Sequence, residues 1–123
     1  MNNFKNISPI LVAKDVKVEI VFFEKIGFIN VYDSLNYSEK LDYAVLSRDG
    51  QFIHIQFHDE NDRPSINVGQ QIKIWVQDLE ILHQEFEKVR FNINPRDNTP
   101  WGTHEFRIYS PNHNAIIFVK DLG

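Results

Sequence analysis

"VAKDVKVEIVFFEKIGFINV" (residues 12–31) and "WVQDLEILHQEFEKVRFNIN" (residues 75–94) lie over one another at a constant offset of 63 residues. Asp15 meets Asp78, Phe23-Glu24-Lys25 meets Phe86-Glu87-Lys88, and Phe28 meets Phe91. The same offset carries "YAVLSRDGQFIHIQF" (43–57) onto "FRIYSPNHNAIIFVK" (106–120) without a gap. Self-similarity at a fixed spacing marks a structural unit used more than once, so the chain reads as one plan repeated. The first module spans about residues 5–58 and the second about 70–121, within a single domain of 123 residues.

Each module opens on an alternating segment, residues 7–13 or 71–76, which predicts a strand. Asp15 or Asp78 follows at a helix-start position, where a carboxylate can accept the free N–H groups of the first turn. Helical spacing comes next, with Val18, Phe22 and Ile26 in one module and Leu79, Leu82, Phe86 and Val89 in the other. Gly27 is placed to end the first helix in a left-handed conformation, and Arg90 stands at that position in the second. Three strands are expected after each helix. The last two of the first module are joined by Asp49-Gly50, a strong two-residue hairpin signal. Pro111-Asn112-His113-Asn114 is the corresponding turn, with Asn expected to take the positive φ. Residues 34–40 read as a long polar hairpin tip, and residues 58–69 as an exposed linker. The pattern is β-α-β-β-β, twice.

Composition narrows the function. The formal net charge is −4 and the pI about 5.7, without the clustered basic face that nucleic-acid binding requires. Such a field favours a cationic ligand. No stretch reaches the roughly 18 apolar residues of a membrane span. The first residues, MNNFKNISPILVAKD, lack the pattern of a secretory signal, so a cytoplasmic location is expected. Zero cysteines exclude disulfides, thiolate nucleophiles and cysteine metal sites. There is no GxSxG, no GxGxxG and no phosphate-cradling glycine loop.

The tandem βαβββ plan resembles the vicinal oxygen chelate superfamily, which includes glyoxalase I, extradiol dioxygenases and bleomycin resistance proteins. The stretches "PILVAKDV", "FFEKIGF", "WVQDLEILHQEFEKV" and "PWGTHEFRIYSPNHNAIIFV" look most like the bleomycin resistance branch, and the resemblance spans almost the whole chain. It implies an α+β fold in which two modules form curved mixed sheets around a cleft, with the helices outside. It also implies a homodimer whose clefts are built from both subunits.

Enzymes of the superfamily hold a divalent metal at four equivalent strand positions, and the resemblance maps these onto Ser8, His54, Gln71 and Ile117. The internal offset agrees, since 8 + 63 = 71 and 54 + 63 = 117. Only His54 is a competent ligand, so no metal or other cofactor is expected and the chain reads as a binder rather than an enzyme. The remaining histidines, His58, His83, His104 and His113, meet no ligand spacing. On the strand around it, the polar set Phe52, His54 and Gln56 should line the cleft, while Ile53, Ile55 and Phe57 pack on a helix.

The resemblance places Tyr32, Tyr43 and Trp101 where bleomycin-binding relatives make aromatic contacts. Trp75 shares strand parity with Gln71 and Lys73 and should face the same way, and Phe106 and Ile108 should continue the wall. Gly102 would let the backbone turn close to a ligand. Asp33, Asp59, Glu60 and Asp62 fall near strand ends, at the expected cleft mouth. Together these residues imply a protein that sequesters a bleomycin-type, aromatic and cationic small molecule in a dimer cleft and so confers antibiotic resistance. The alternatives are a metal-dependent lyase or dioxygenase with displaced ligands, and a binder of another hydrophobic metabolite.

Overall fold

A computed structural model describes residues 1–59, 61–62, 69–89, 97–98 and 102–121. Trp101, Glu60, Arg90 and Phe91 lie outside the described residues. The chain folds as two compact units, Met1–Ile66 and Asn67–Gly123. The architecture is α+β, with a helix and a mixed sheet in each unit.

In the first unit β1 (Ile10–Ala13) leads into α1 (Val16–Lys25), and β2 (Ile29–Asp33), β3 (Tyr43–Arg48) and β4 (Gln51–Phe57) follow. The sheet order is β1-β4-β3-β2, with β1 parallel to β4 and the other pairs antiparallel. In the second unit β5 (Gln71–Trp75), α2 (Leu79–Lys88), β6 (Asp97–Asn98), β7 (Thr103–Tyr109) and β8 (Ala115–Asp121) repeat that order as β5-β8-β7-β6. No helix among the described residues is long and apolar enough to cross a membrane.

The repeat is closest at the helix starts. Asp15 accepts a hydrogen bond from the Val18 N–H at 3.1 Å, and Asp78 accepts one from the Ile81 N–H at 3.0 Å. Each satisfies a donor that the first turn leaves without an intrahelical partner. At the other end of α1, Gly27 takes φ +90°. Its N–H reaches the Glu24 carbonyl at 3.1 Å, and the Phe28 N–H reaches the Phe23 carbonyl at 3.0 Å. These two bonds form a Schellman cap, and the Phe23 and Phe28 rings close it edge to face, 5.3 Å between centroids.

Alternation along the strands divides each sheet into two faces. Ala44, Leu46, Ile53 and Ile55 are buried on one side of the first sheet, the side covered by Ile20, Phe22, Phe23 and Ile26 at α1 and its end. Val18, expected on the helix's inner face, is instead 40% exposed, and Glu19 is fully buried on α1. Phe57, expected against a helix, is 44% exposed at the end of its strand.

The second hairpin departs from the gapless overlay. Arg48 pairs with Gln51 around Asp49-Gly50, whereas Tyr109 pairs with Ala115 around the wider turn 110–114. Tyr43 pairs with Gln56, whose repeat position is 56 + 63 = 119, and Val119 pairs with Glu105 rather than Phe106. β7 is therefore displaced by one residue, and a displacement of one exchanges the two faces of a strand. In the wide turn it is His113, at φ +69°, and not an asparagine, that enters the left-handed region. Asn114 is fully buried, and its Oδ1 accepts from the Gln70 N–H at 2.9 Å.

Candidate functional site

The face of the first sheet turned away from α1 carries Phe52, His54 and Gln56 from β4 and Tyr43, Val45 and Ser47 from β3, their direct cross-strand partners. Ile10 of β1 joins them opposite His54. β2 contributes Tyr32 through an irregularity. Ile29 pairs with Ser47 and Asn30 with Leu46, but the register then slips so that Tyr32 pairs with Val45. Without the slip Tyr32 would stand opposite Ala44 on the helix side, so one extra residue, Val31, turns the tyrosine to the open face.

Tyr43 and His54 are diagonal neighbours on this face. The Tyr43 hydroxyl and His54 Nδ1 are hydrogen-bonded at 2.5 Å, with the rings edge to face at 5.5 Å. Desolvation by burial, and then the nearby Tyr37 phenol, raises the Tyr43 pKa above the ordinary value of 10.0. The phenol is therefore neutral at physiological pH. It holds the imidazole in one orientation and leaves Nε2 as the ring nitrogen free to face a ligand.

Tyr37 belongs to the tip that the sequence reading treated as plain polar chain. The tip opens with a single 3-10 turn, Ser34–Asn36, capped by Asp33, whose Oδ1 accepts from the Leu35 N–H at 2.8 Å. Ser34 is fully buried at its centre. The Ser34 hydroxyl donates to the Lys40 carbonyl at 2.5 Å and accepts from the Asp42 N–H at 2.9 Å. Its carbonyl accepts from the Tyr37 and Ser38 N–H groups. This framework sets the Tyr37 ring on Tyr32, stacked at 6.3 Å between centroids and 26° between planes. An isolated aromatic in a polar tip was the available sequence signal, and strand parity does not register it.

The acids expected at a cleft mouth have local partners. Asp33 caps the 3-10 turn and also accepts from Asn30 Nδ2 at 2.9 Å. Asp59 Oδ1 accepts from the Asp62 N–H at 2.8 Å, and Asp62 pairs with His58.

In the second sheet Gln71, Lys73 and Trp75 of β5 lie opposite Ala115, Ile117 and Val119 of β8, and β7 adds Glu105 and Arg107 to that face. Trp75 is 58% exposed. Gly102 takes φ +87°, and apart from its two chain neighbours nothing among the described residues lies within 4 Å of where a Cβ would stand. Glu105 Oε2 is buried with no hydrogen-bond partner among the described residues, and the Arg107 guanidinium approaches only the other oxygen, at 3.9 Å.

Phe106 and Ile108 do not continue this wall. Phe106 is 2% exposed, stacked on Phe118 at 5.1 Å and edge to face with His83 of α2 at 4.9 Å. The one-residue displacement of β7 is the reason, because it sends residues 106 and 108 to the helix side and residues 105 and 107 to the other.

The positions mapped to a divalent metal do not fit one. Ile117 has no donor atom, Ser8 and Gln71 offer weak neutral oxygens, and His54 alone is a strong ligand. No three His, Cys, Asp or Glu side chains come together among the described residues.

No family model matches the sequence, and neither does any curated protein. Solved structures do match. A bleomycin-binding protein from bleomycin-producing Streptomyces verticillus, complexed with copper(II)-bleomycin, is 23% identical, with 96% of this chain and 97% of that chain covered and a TM-score of 0.77. A bleomycin resistance determinant encoded on the transposon Tn5 is 15% identical, with 96% and 98% covered and a TM-score of 0.76. A lactoylglutathione lyase from Agrobacterium tumefaciens is 16% identical, with 97% and 95% covered and a TM-score of 0.73. The chain thus has the fold that these three proteins share.

Proposed function

We propose that the chain is a metal-independent binding protein that sequesters a flat, cationic small molecule of the bleomycin type, protecting the cell by stoichiometric capture. The observation that carries this reading is the aromatic face of the first sheet, where Tyr32, Tyr37, Tyr43 and His54 are held by a bulge, a hydrogen-bonded tip and a side-chain bond. Aromatic rings held in place offer large flat area at little entropic cost, and their faces attract both π-systems and cations. Phe52 and Gln56 extend that face, and Trp75 gives the second sheet an exposed aromatic side chain of its own. On that second sheet Glu105 offers a carboxylate oxygen to a cationic group.

The binding unit in this reading is a homodimer. In its support, β2 is the edge strand of its sheet and carries Ile29 and Val31 largely exposed, and Phe4 and Ile7 are 90% exposed at the N-terminal end. Exposed apolar residues on an open edge favour burial against a second copy.

Titration with a bleomycin-class drug, followed by tryptophan fluorescence and calorimetry, tests the proposal. Saturation at one or two molecules per dimer supports it, and no response up to millimolar drug overturns it. The lactoylglutathione lyase likeness keeps one enzymatic alternative in view. Stoichiometric Zn, Ni, Mn or Fe in purified protein, lost in His54→Ala, would favour that alternative.

A further inference from the structure

We propose that His58 decides which end of the Gln56 side-chain amide faces the open side of the first sheet, and that Asp62 enforces the decision. The inference rests on reading that side as the ligand-facing one. His58 follows β4 directly, and its backbone N–H donates to the Ala13 carbonyl at 3.1 Å, which fixes the main chain beside β1. Its half-buried ring is held at both nitrogens. Nδ1 lies 2.5 Å from Asp62 Oδ2, and Nε2 lies 3.0 Å from Gln56 Oε1.

The chemistry of these partners constrains the protons. A carboxylate accepts and does not donate, so Nδ1 carries a hydrogen whether the ring is charged or neutral. An amide oxygen also only accepts, so a Gln56 amide that turns Oε1 to the ring requires a hydrogen on Nε2 as well. With both present the ring is an imidazolium, and the Gln56 NH2 group points away from His58. When the ring gives up a proton it gives up the one on Nε2, because the Nδ1 hydrogen is held by the carboxylate. Nε2 then offers a lone pair, which repels Oε1 and attracts the NH2 group, and the amide turns over.

Gln56 therefore presents N–H donors to a ligand when His58 is charged and a carbonyl acceptor when it is neutral. A carbonyl- or carboxylate-bearing ligand group is favoured at lower pH, and an N–H-bearing group such as an ammonium at higher pH. The charged groups nearest His58 by chain position are Asp59, Glu60 and Asp62 after β4, and Lys14 and Asp15 beyond the end of β1. On the β3 side the neighbour is Asp42, whose carbonyl accepts from the Phe57 N–H. His58 is a positioning residue, acting through Gln56.

The test is an NMR titration of the 15N-labelled, ligand-free protein from about pH 5 to 8.5, the range in which an imidazole exchanges its proton. The expected result is that His58 loses its proton from Nε2 and that the Gln56 side-chain NH2 signals move with the same midpoint. In His58→Phe that movement is lost. A Gln56 signal that stays still while His58 titrates overturns the proposal, as does one that moves unchanged in His58→Phe. Should the variant fail to fold, the wild-type ring still decides, because deprotonation at Nδ1 refutes the mechanism. No drug enters this experiment, so its failure is distinct from failure of the binding reading.

Discussion

Replacing Gly27 by alanine separates two costs that the Schellman cap combines. The first is conformational, since an L-residue at φ +90° is disfavoured by about 1–2 kcal/mol. The second comes from a neighbour. The new Cβ would stand 2.7 Å from Arg48 Nη1, and that nitrogen donates to the Ile26 carbonyl at 2.6 Å. The guanidinium sits on a flexible side chain, so it moves rather than clashes, but moving breaks a hydrogen bond from a charged donor, of about 1.5–3 kcal/mol. Because the Arg48 side chain is only 26% exposed, water replaces that bond incompletely, and Gly27→Ala should cost about 3 kcal/mol in all. Gly50 supplies the reference. It has φ +76° and, apart from its two chain neighbours, nothing among the described residues within 4 Å of its Cβ position, so Gly50→Ala should show the conformational cost alone, about 1–2 kcal/mol. Urea unfolding of both variants, each in the wild-type and Arg48→Ala backgrounds, reads the difference. In the Arg48→Ala background the two substitutions should cost the same. Equal costs in the wild-type background, or a gap that survives removal of Arg48, would refute the argument.

Four further outcomes follow from the structure. Asp15→Ala and Asp78→Ala should each destabilise by about 1 kcal/mol, the usual loss of a capping side chain, measured by thermal or chemical unfolding. Phe106→Leu should lower the unfolding midpoint yet leave drug affinity unchanged, because its ring packs against α2; a selective loss of affinity with stability intact would contradict that placement. Tyr37→Ala should weaken drug binding about 2- to 10-fold by calorimetry, the equivalent of one aromatic pair, with little change in stability. Tyr43 bears on pH. Its folded pKa is raised above 10.0, so the folded state keeps the phenol proton longer than the unfolded chain does. The resulting stability is fully present below pH 10 and is lost as pH rises through the folded value. Tyr43→Phe should flatten that part of the alkaline unfolding profile.

The repeat made most of the fold legible. Two aspartates 63 positions apart both cap helices, and the glycine between a helical stripe and an alternating strand does take the left-handed conformation. The site was legible only where strand parity ran unbroken. Phe52, His54 and Gln56 share the open face because β4 has no irregularity. Phe106 was misplaced because sequence superposition preserves residue order and ignores the turn, and the wider turn 110–114 shifts β7 by one. Val18 was misplaced because a buried Glu19 occupies a position on α1 that a hydrophobicity pattern assigns to solvent. Tyr37 went unseen because its position depends on Ser34, a small polar residue whose hydroxyl bridges Lys40 and Asp42 and organises the tip around it.

The slip between Asn30 and Tyr32 bears on which changes of length the face tolerates. Val31 is the residue the slip accommodates, so its deletion would leave Asn30 opposite Leu46 and Tyr32 opposite Val45, with the tyrosine still on the open face beside Tyr37. A single in-frame codon deletion there is thus absorbed, whereas keeping the residue and losing the slip would bring Tyr32 opposite Ala44 and break the stacked pair. A chain one residue shorter in this strand can therefore present the same tyrosine at the same place, a correspondence that gapless comparison of sequences would miss.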